Sequence, residues 1–228
     1  MQNKTQMFQD TKRQIARWLL EIKAVNFRPE KPYKFTSGWL SPVYIDCRWI
    51  ISFLEARRAI IDASILLLND KGVLSRLDMV AGGETAGIPY AAWISERLSL
   101  PMLYVRKKPK GFGRGAQIEG SLGDGVNILL VEDLATDGAS KINFVNALRK
   151  NGATVEHIFV VFFYDIFPGS LERLETMGIK MHFLCNWWDI LEEAKMGAFY
   201  EPHVVSLVEK FLEDPIRWSG DHGGRDTL

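Results

Sequence analysis

The chain has 228 residues, 47% of them hydrophobic and 25% charged, enough for one globular α/β domain with a modest extra lobe. Lys plus Arg and Asp plus Glu balance at 28 each, so no net field holds a nucleic-acid backbone, and any anion site must come from local clustering. No apolar run approaches membrane-spanning length and MQNKTQMFQD has no apolar signal region, giving an expectation of a cytoplasmic protein that binds neither nucleic acid nor membrane. Cys47 and Cys185 lack metal-type spacing and read as reduced core thiols.

In chain order, Phe8, Ile15, Trp18, Leu19 and Ile22 fall at helical spacing and predict an amphipathic first helix that stops near Asn26 and Pro29. The stretch KPYKFTSGWLSPVYIDCR, Lys31 to Arg48, reads as loop and short strands. Ser52 is placed to cap a second helix, with Ala56, Ile60, Ala63 and Leu67 as its buried stripe. A strand at Met79–Ala81 then runs into Gly82-Gly83, followed by a helix from Gly87 to Leu98. Another strand, Met102–Val105, leads into a segment rich in Lys, Arg and Gly that lasts to about Gly120. The strand Ile128–Val131 precedes a loop and a helix ending near Lys150, and the apolar run Val155–Phe163 is a strand buried on both faces. Helix, strand and helix patterns continue through His182, Trp188 and Leu212, and the polar tail after Asp214 reads as an edge extension. Strands alternating with helices imply an α/β fold with a mainly parallel sheet and crossover helices.

NILLVEDLATDGAS, Asn127 to Ser140, carries the strongest chemical signal. An apolar strand delivers Glu132 and Asp133 at its C-terminal end, where open parallel sheets bind ligands. The turn Ala135-Thr136-Asp137-Gly138-Ala139-Ser140 leads straight into a helix, so its backbone N–H groups and two hydroxyls form an anion cradle. The acids can accept hydrogen bonds from the hydroxyls of a sugar attached to that phosphate. The plainer alternative is an acid pair that merely ends a strand, with Ser140 as a helix cap. The segment lacks the Gly-Lys-Ser/Thr ending of a Walker loop and the spaced glycines of a dinucleotide fingerprint.

YVRKKPKGFGRGAQIEG, Tyr104 to Gly120, sets Arg106, Lys107, Lys108, Lys110 and Arg114 among glycines. Such a run is either a solvated face or a hinged cationic lid suited to pyrophosphate.

Asn127–Ser140 resembles the phosphoribosyl-pyrophosphate (PRPP) signature of type I phosphoribosyltransferases. KFTSGWLSPVYIDCR, MVAGGETAGIP and the cationic segment together resemble the orotate phosphoribosyltransferases, over roughly residues 8 to 190. The resemblance implies a type I phosphoribosyltransferase fold in a single domain, with a hood over about 1–50, a core over about 51–190 and a helical extension over about 191–228. It implies transfer of the phosphoribosyl group from PRPP to orotate by a homodimer with shared active sites. Mg²⁺ would be the cofactor, bound through substrate and water rather than by side chains.

By the same resemblance Arg106, Lys107 and Lys110 meet pyrophosphate and act in catalysis with Asp133, while Gly83, Glu84, Thr85 and Ala86 form the pyrophosphate loop. Ribose and phosphate fall to Glu132, Asp133, Leu134, Ala135, Thr136, Asp137, Gly138, Ala139 and Ser140. The base falls to Thr36, Ser37, Gly38, Tyr44, Ile45, Arg48 and Thr136. Several positions depart from the family pattern: Thr36, Thr85, Ala86, Phe112, Arg114 and Ile166 stand where it has Lys, Tyr, Lys, His, an acid and Arg. Arg48, Lys34 and Arg28 are candidates to replace the lost cations, or are solvated surface residues. Arg48, placed on a strand two residues past Asp46, shares its face. Transfer to another base such as a purine, and a regulator that senses PRPP, are the competing readings.

Overall fold

A computed structural model describes residues 2–35, 37–109 and 117–227, and the side chains of all of these except 2–8 and 139. The chain divides into two compact units: Met1–Ala56 with Tyr164–Pro168 and Cys185–Leu228, and Arg57–Phe163 with Gly169–Leu184.

The first unit opens with helix α1, Gln2–Glu21, which buries Ile15, Ala16, Leu19 and Leu20 while Trp18 stays half-buried. It ends sooner than the sequence suggests, because Lys23 takes a left-handed φ of 58° and the next residues enter a strand. That strand, β1 (Val25–Phe27), pairs antiparallel with β4 (Val43–Ile45), and β2 (Tyr33–Lys34) pairs with β3 (Leu40–Ser41). A 3₁₀ helix follows over Cys47–Ser52, capped by Asp46, so Ser52 ends one helix instead of capping the next. The unit closes with α6 (Trp187–Met196), α7 (Pro202–Glu213) and α8 (Pro215–Asp221). Asn186 and Asp189 form a reciprocal capping box at the start of α6. The tail expected as an edge extension is instead helical. Pro215 stands in the first turn of α8, Asp214 accepts the Arg217 N–H, and Trp218 packs edge-on against Phe211.

The second unit holds most of α2 (Leu54–Asp70), whose predicted stripe Ala56, Ile60, Ala63 and Leu67 is buried throughout. Its strands are β5 (Met79–Gly83), β6 (Met102–Val105), β7 (Ile118–Glu119), β8 (Asn127–Ala135) and β9 (Thr154–Phe163), with β10 (Lys180–Asn186) completing the sheet. Helices α3 (Gly87–Leu98), α4 (Ala139–Lys150) and α5 (Ser170–Glu175) connect them. The sheet order is β10-β9-β8-β5-β6-β7. β6, β5, β8 and β9 run parallel, and only β7 is antiparallel to its neighbour β6 among the pairs with a defined register.

Valine, isoleucine, leucine and phenylalanine fill β8 and β9 because helices cover both faces of a parallel sheet. From β5 the chain crosses by α3 to β6 on one side, and from β8 it crosses by α4 to β9 on the other. Right-handed crossovers in opposite directions put α3 and α4 on opposite faces and open a crevice at the C-terminal ends of β5 and β8.

Candidate active site

The acid pair sits at that switch point. β8 runs on to Ala135, four residues past the predicted end, because β9 continues to pair with it up to Ala135 and Phe163, whereas pairing with β5 stops at Gly82 and Val131. Adjacent strand residues face opposite sides, and the two acids differ accordingly. Asp133 is half-buried, while Glu132 is only 6% exposed.

Glu132 Oε2 accepts a hydrogen bond from Lys141 Nζ at 2.8 Å, and that ammonium also donates to Ser140 Oγ at 3.3 Å. Glu132 Oε1 is buried with no hydrogen-bond partner among the described residues. Burial pushes the Glu132 carboxyl up to about 7, and the Asp133 charge adds to this, while Lys141 and more weakly Lys107 oppose it. The same strand end explains two glycines: a Cβ on Gly83 would collide with Glu132 Oε1, and one on Gly87 would collide with Val131 O and lie 2.7 Å from Glu132 Oε1.

Helix α4 starts at Ala139 behind Gly138, whose φ of 78° suits only glycine without strain. Gly138 takes the N-cap with no side-chain bond, so Ser140 lies inside the helix and does not cap it. Lys141 and Ile142 in the first turn of α4 donate their N–H groups to Gly138 O at 3.0 and 3.4 Å, so a phosphate would be met by the N–H groups ahead of them, beside exposed Thr136 and half-buried Asp137. The Ala139 side chain lies outside the described residues.

A second cluster surrounds the root of the cationic segment. Arg106 donates its N–H to Gln117 O at 2.8 Å, and Gln117 Nε2 donates back to Arg106 O at 3.0 Å, extending the β6–β7 pairing. The Arg106 guanidinium lies between Glu84 Oε1 at 3.9 Å and Glu119 Oε1 at 3.6 Å. Glu84, in the Gly83–Ala86 loop, also accepts the Lys107 N–H at 2.8 Å, and Asn143 of α4 donates to Lys107 O at 3.1 Å. The structure thus brings Arg106 and Lys107 to the predicted pyrophosphate loop. Lys110, Phe112 and Arg114 lie outside the described residues.

The first unit carries the predicted base-side residues other than Thr136. Gly38, with φ 91°, makes a turn in which its N–H donates to Phe35 O, and exposed Ser37 sits at the tip. Thr36 lies outside the described residues. Tyr44 packs against Tyr33 with ring centres 5.2 Å apart, and Arg28 stacks over Tyr33 at 5.0 Å. Ile45 turns its side chain into the core.

Arg48 is not on a strand. It falls in the first turn of the 3₁₀ helix, where its N–H and Nε both donate to Asp46 Oδ1, its Nη2 donates to Asp46 Oδ2 at 2.7 Å, and the same Nη2 donates to Tyr44 OH at 3.2 Å. The shared face with Asp46 thus arises from a capping turn, not from strand alternation. Ile166 is buried beside Asp165, whose left-handed φ of 54° accompanies bonds from Asn186 Nδ2 at 2.8 Å and Trp188 Nε1 at 3.2 Å.

Lys141, Glu119 and Asn143 escaped the sequence reading. Lys141 carried a usable signal, since a cation in the first turn of a helix opposes the helix dipole and needs a local anion to justify it.

A mainly parallel sheet with an acid pair at its switch point and a glycine-capped helix behind it defines a type I phosphoribosyltransferase fold. No family model matches the chain. It is 52% identical over 203 residues to the orotate phosphoribosyltransferase of Ruegeria sp. (strain TM1040), covering 89% of this chain and 90% of that relative. The crystal structure of orotate phosphoribosyltransferase from Aeropyrum pernix superposes with a TM-score of 0.68 at 30% identity, over 79% of this chain and 99% of that one. The Leishmania donovani UMP synthase shares the fold, with a TM-score of 0.76 at 24% identity over 90% of this chain, which spans 43% of that protein's length. The chain belongs to the orotate phosphoribosyltransferase family and converts PRPP and orotate to orotidine 5'-monophosphate and pyrophosphate in pyrimidine biosynthesis. Orotate, not a purine, is thus the acceptor base, and the chain is an enzyme rather than a sensor.

Proposed function

We propose that the residues around the ends of β5 and β8 perform this transfer, working within a single phosphoribosyltransferase domain. The observation that supports the assignment best is the meeting of a half-buried Asp133, a buried Glu132 with an unbonded Oε1 and the glycine-capped start of α4.

Asp133 accepts hydrogen bonds from the ribose hydroxyls, with Glu132 Oε1 as a second acceptor. The segment from Leu134 to Ser140 binds the 5'-phosphate through its backbone N–H groups and the hydroxyls of Thr136 and Ser140. The ring nitrogen of orotate displaces pyrophosphate at the anomeric carbon, through a transition state with oxocarbenium character. The protein therefore supplies positioning and charge more than a strong base. Arg106, Lys107 and Lys110 stabilise the charge that builds on the departing pyrophosphate, at the loop Gly83, Glu84, Thr85 and Ala86. On the base side, Thr36, Ser37 and Gly38, with Tyr44 and Arg48, receive orotate and its carboxylate.

Mg²⁺ fits this arrangement as a cation that arrives with the donor, since its preferred partners are phosphate oxygens and water. When bound it neutralises pyrophosphate charge. The working form is a cytoplasmic homodimer in which the cationic segment of one subunit completes the site of the other.

Mixing Lys110→Ala subunits with Asp133→Asn subunits tests the shared site. Activity restored in a verified heterodimer supports it, and no rescue shows that each subunit completes its own site. A chelator should abolish turnover and added Mg²⁺ should restore it. Full activity in the chelator would remove Mg²⁺ from the scheme.

A further inference from the structure

We propose that Lys141 is a positioning residue for phosphoribosyl transfer: its ammonium favours the charged form of Glu132 and fixes the direction of its carboxylate at the switch point, and thereby its capacity to accept from ribose. This rests on the reading of Glu132 as a ribose acceptor.

Both partners are buried, with side-chain exposures of 6% for Lys141 and 8% for Glu132, and the contact is 2.8 Å. A lone buried carboxylate takes up a proton in preference to staying charged, and a protonated acid is a poor acceptor for a hydroxyl. Asp133 on β8 makes matters worse, because its charge also favours the protonated form of Glu132. Lys107, after β6, is a weaker counterweight than Lys141. From α3 the carboxylate meets the Gly87 backbone, and from β5 it meets Gly83.

Geometry does the rest. Lys141 holds Oε2, so the carboxylate cannot rotate freely, and Oε1 lies beside Gly83 of the pyrophosphate loop and Gly87 at the start of α3. The backbone can approach that closely because neither position carries a Cβ. Ser140, adjacent in the phosphate-binding turn, shares the same ammonium, so one cation couples the ribose acceptor to the phosphate cradle.

The test compares Lys141→Met, Lys141→Arg, Glu132→Gln and the double variant Glu132→Gln/Lys141→Met. Thermal midpoints are recorded beside kcat and KM for PRPP and orotate, from about pH 6 to about pH 9. Lys141→Met should raise the PRPP KM at least about tenfold, leave the orotate KM nearly unchanged, and move the acid limb of activity upward by about one pH unit. Lys141→Arg should stay within about threefold of the wild type.

The double variant removes both charges, so it should regain the thermal midpoint of the wild type yet keep the raised PRPP KM. A double variant with wild-type PRPP KM would overturn the proposal even where Lys141→Met does not fold. So would a folded Lys141→Met with unchanged PRPP KM and acid limb while Glu132→Gln alone is impaired. If Glu132→Gln alone is kinetically silent, the ribose-acceptor reading of Glu132 fails instead.

Discussion

Two ion pairs stand beside the residues assigned to ligands, and they are built on opposite terms. In the second unit Lys141 and Glu132 meet at 2.8 Å with side chains 6% and 8% exposed. In the first unit Arg48 and Asp46 meet at 2.6 Å with side chains 60% and 18% exposed. Distance alone would rank them together, but burial separates them. Breaking the buried pair strands a charge in a poorly solvated place, whereas water takes over either half of the exposed one. A buried pair is therefore suited to hold a carboxyl group in one fixed direction through the reaction. An exposed pair can be opened cheaply, so the proposed turn of the Arg48 guanidinium from Asp46 to the orotate carboxylate would cost little.

The contrast is broken most severely by Lys141→Ala, which leaves Glu132 buried without its counter-charge. A loss of about 1–3 kcal/mol in unfolding free energy by denaturant titration is expected, held down because Glu132 can take up a proton. A loss below about 1 kcal/mol would mean that water reaches Glu132 and that the pair behaves like a surface one.

A second measurement sharpens the electrostatic half. The Glu132 carboxyl is raised from 4.5 to about 7 in the fold, chiefly by burial, so the folded state binds its proton more tightly than the unfolded chain. Its contribution to stability is therefore fully present below 4.5 and is lost as pH rises through about 7. Thermal midpoints of the wild type should show this decline and those of Glu132→Gln should lack it; parallel pH curves would refute the assignment.

The smallest effect is expected at the exposed pair. Arg48→Ala should change stability by less than about 1 kcal/mol. It should nevertheless raise the orotate KM without altering the PRPP KM, and equal KM values for both substrates would return Arg48 to a purely surface role.

The two regions also differ in how far they could be read from the chain. The stretch proposed for the phosphoribosyl group is written contiguously, from Asn127 through the acids and the turn into α4, because strand, crevice and helix start follow one another in a parallel sheet. Its elements appear where the residues place them, with the strand longer than predicted because pairing with β9 outlasts the apolar run. What stayed hidden were tertiary partners: Glu119, contributed by a two-residue strand, and Asn143, which reaches Lys107 O from α4.

The residues proposed for the base come from strands of two or three residues whose register depends on turns and caps. There the Asp46 cap turned an expected strand into a 3₁₀ helix, and Asp214 with Pro215 made a helix of an expected edge. Short-range capping bonds of this kind outweigh the weak periodicity of a few residues.

The central claim is that the acid at the end of β8 meets the ribose of PRPP, and steady-state kinetics of Asp133→Asn tests it most directly. Asp133 is half-buried and the change is isosteric, so the thermal midpoint should barely move. Turnover with Mg²⁺, PRPP and orotate should fall at least about tenfold, since the lost interaction strengthens in the transition state. A folded Asp133→Asn enzyme with wild-type turnover would contradict the account.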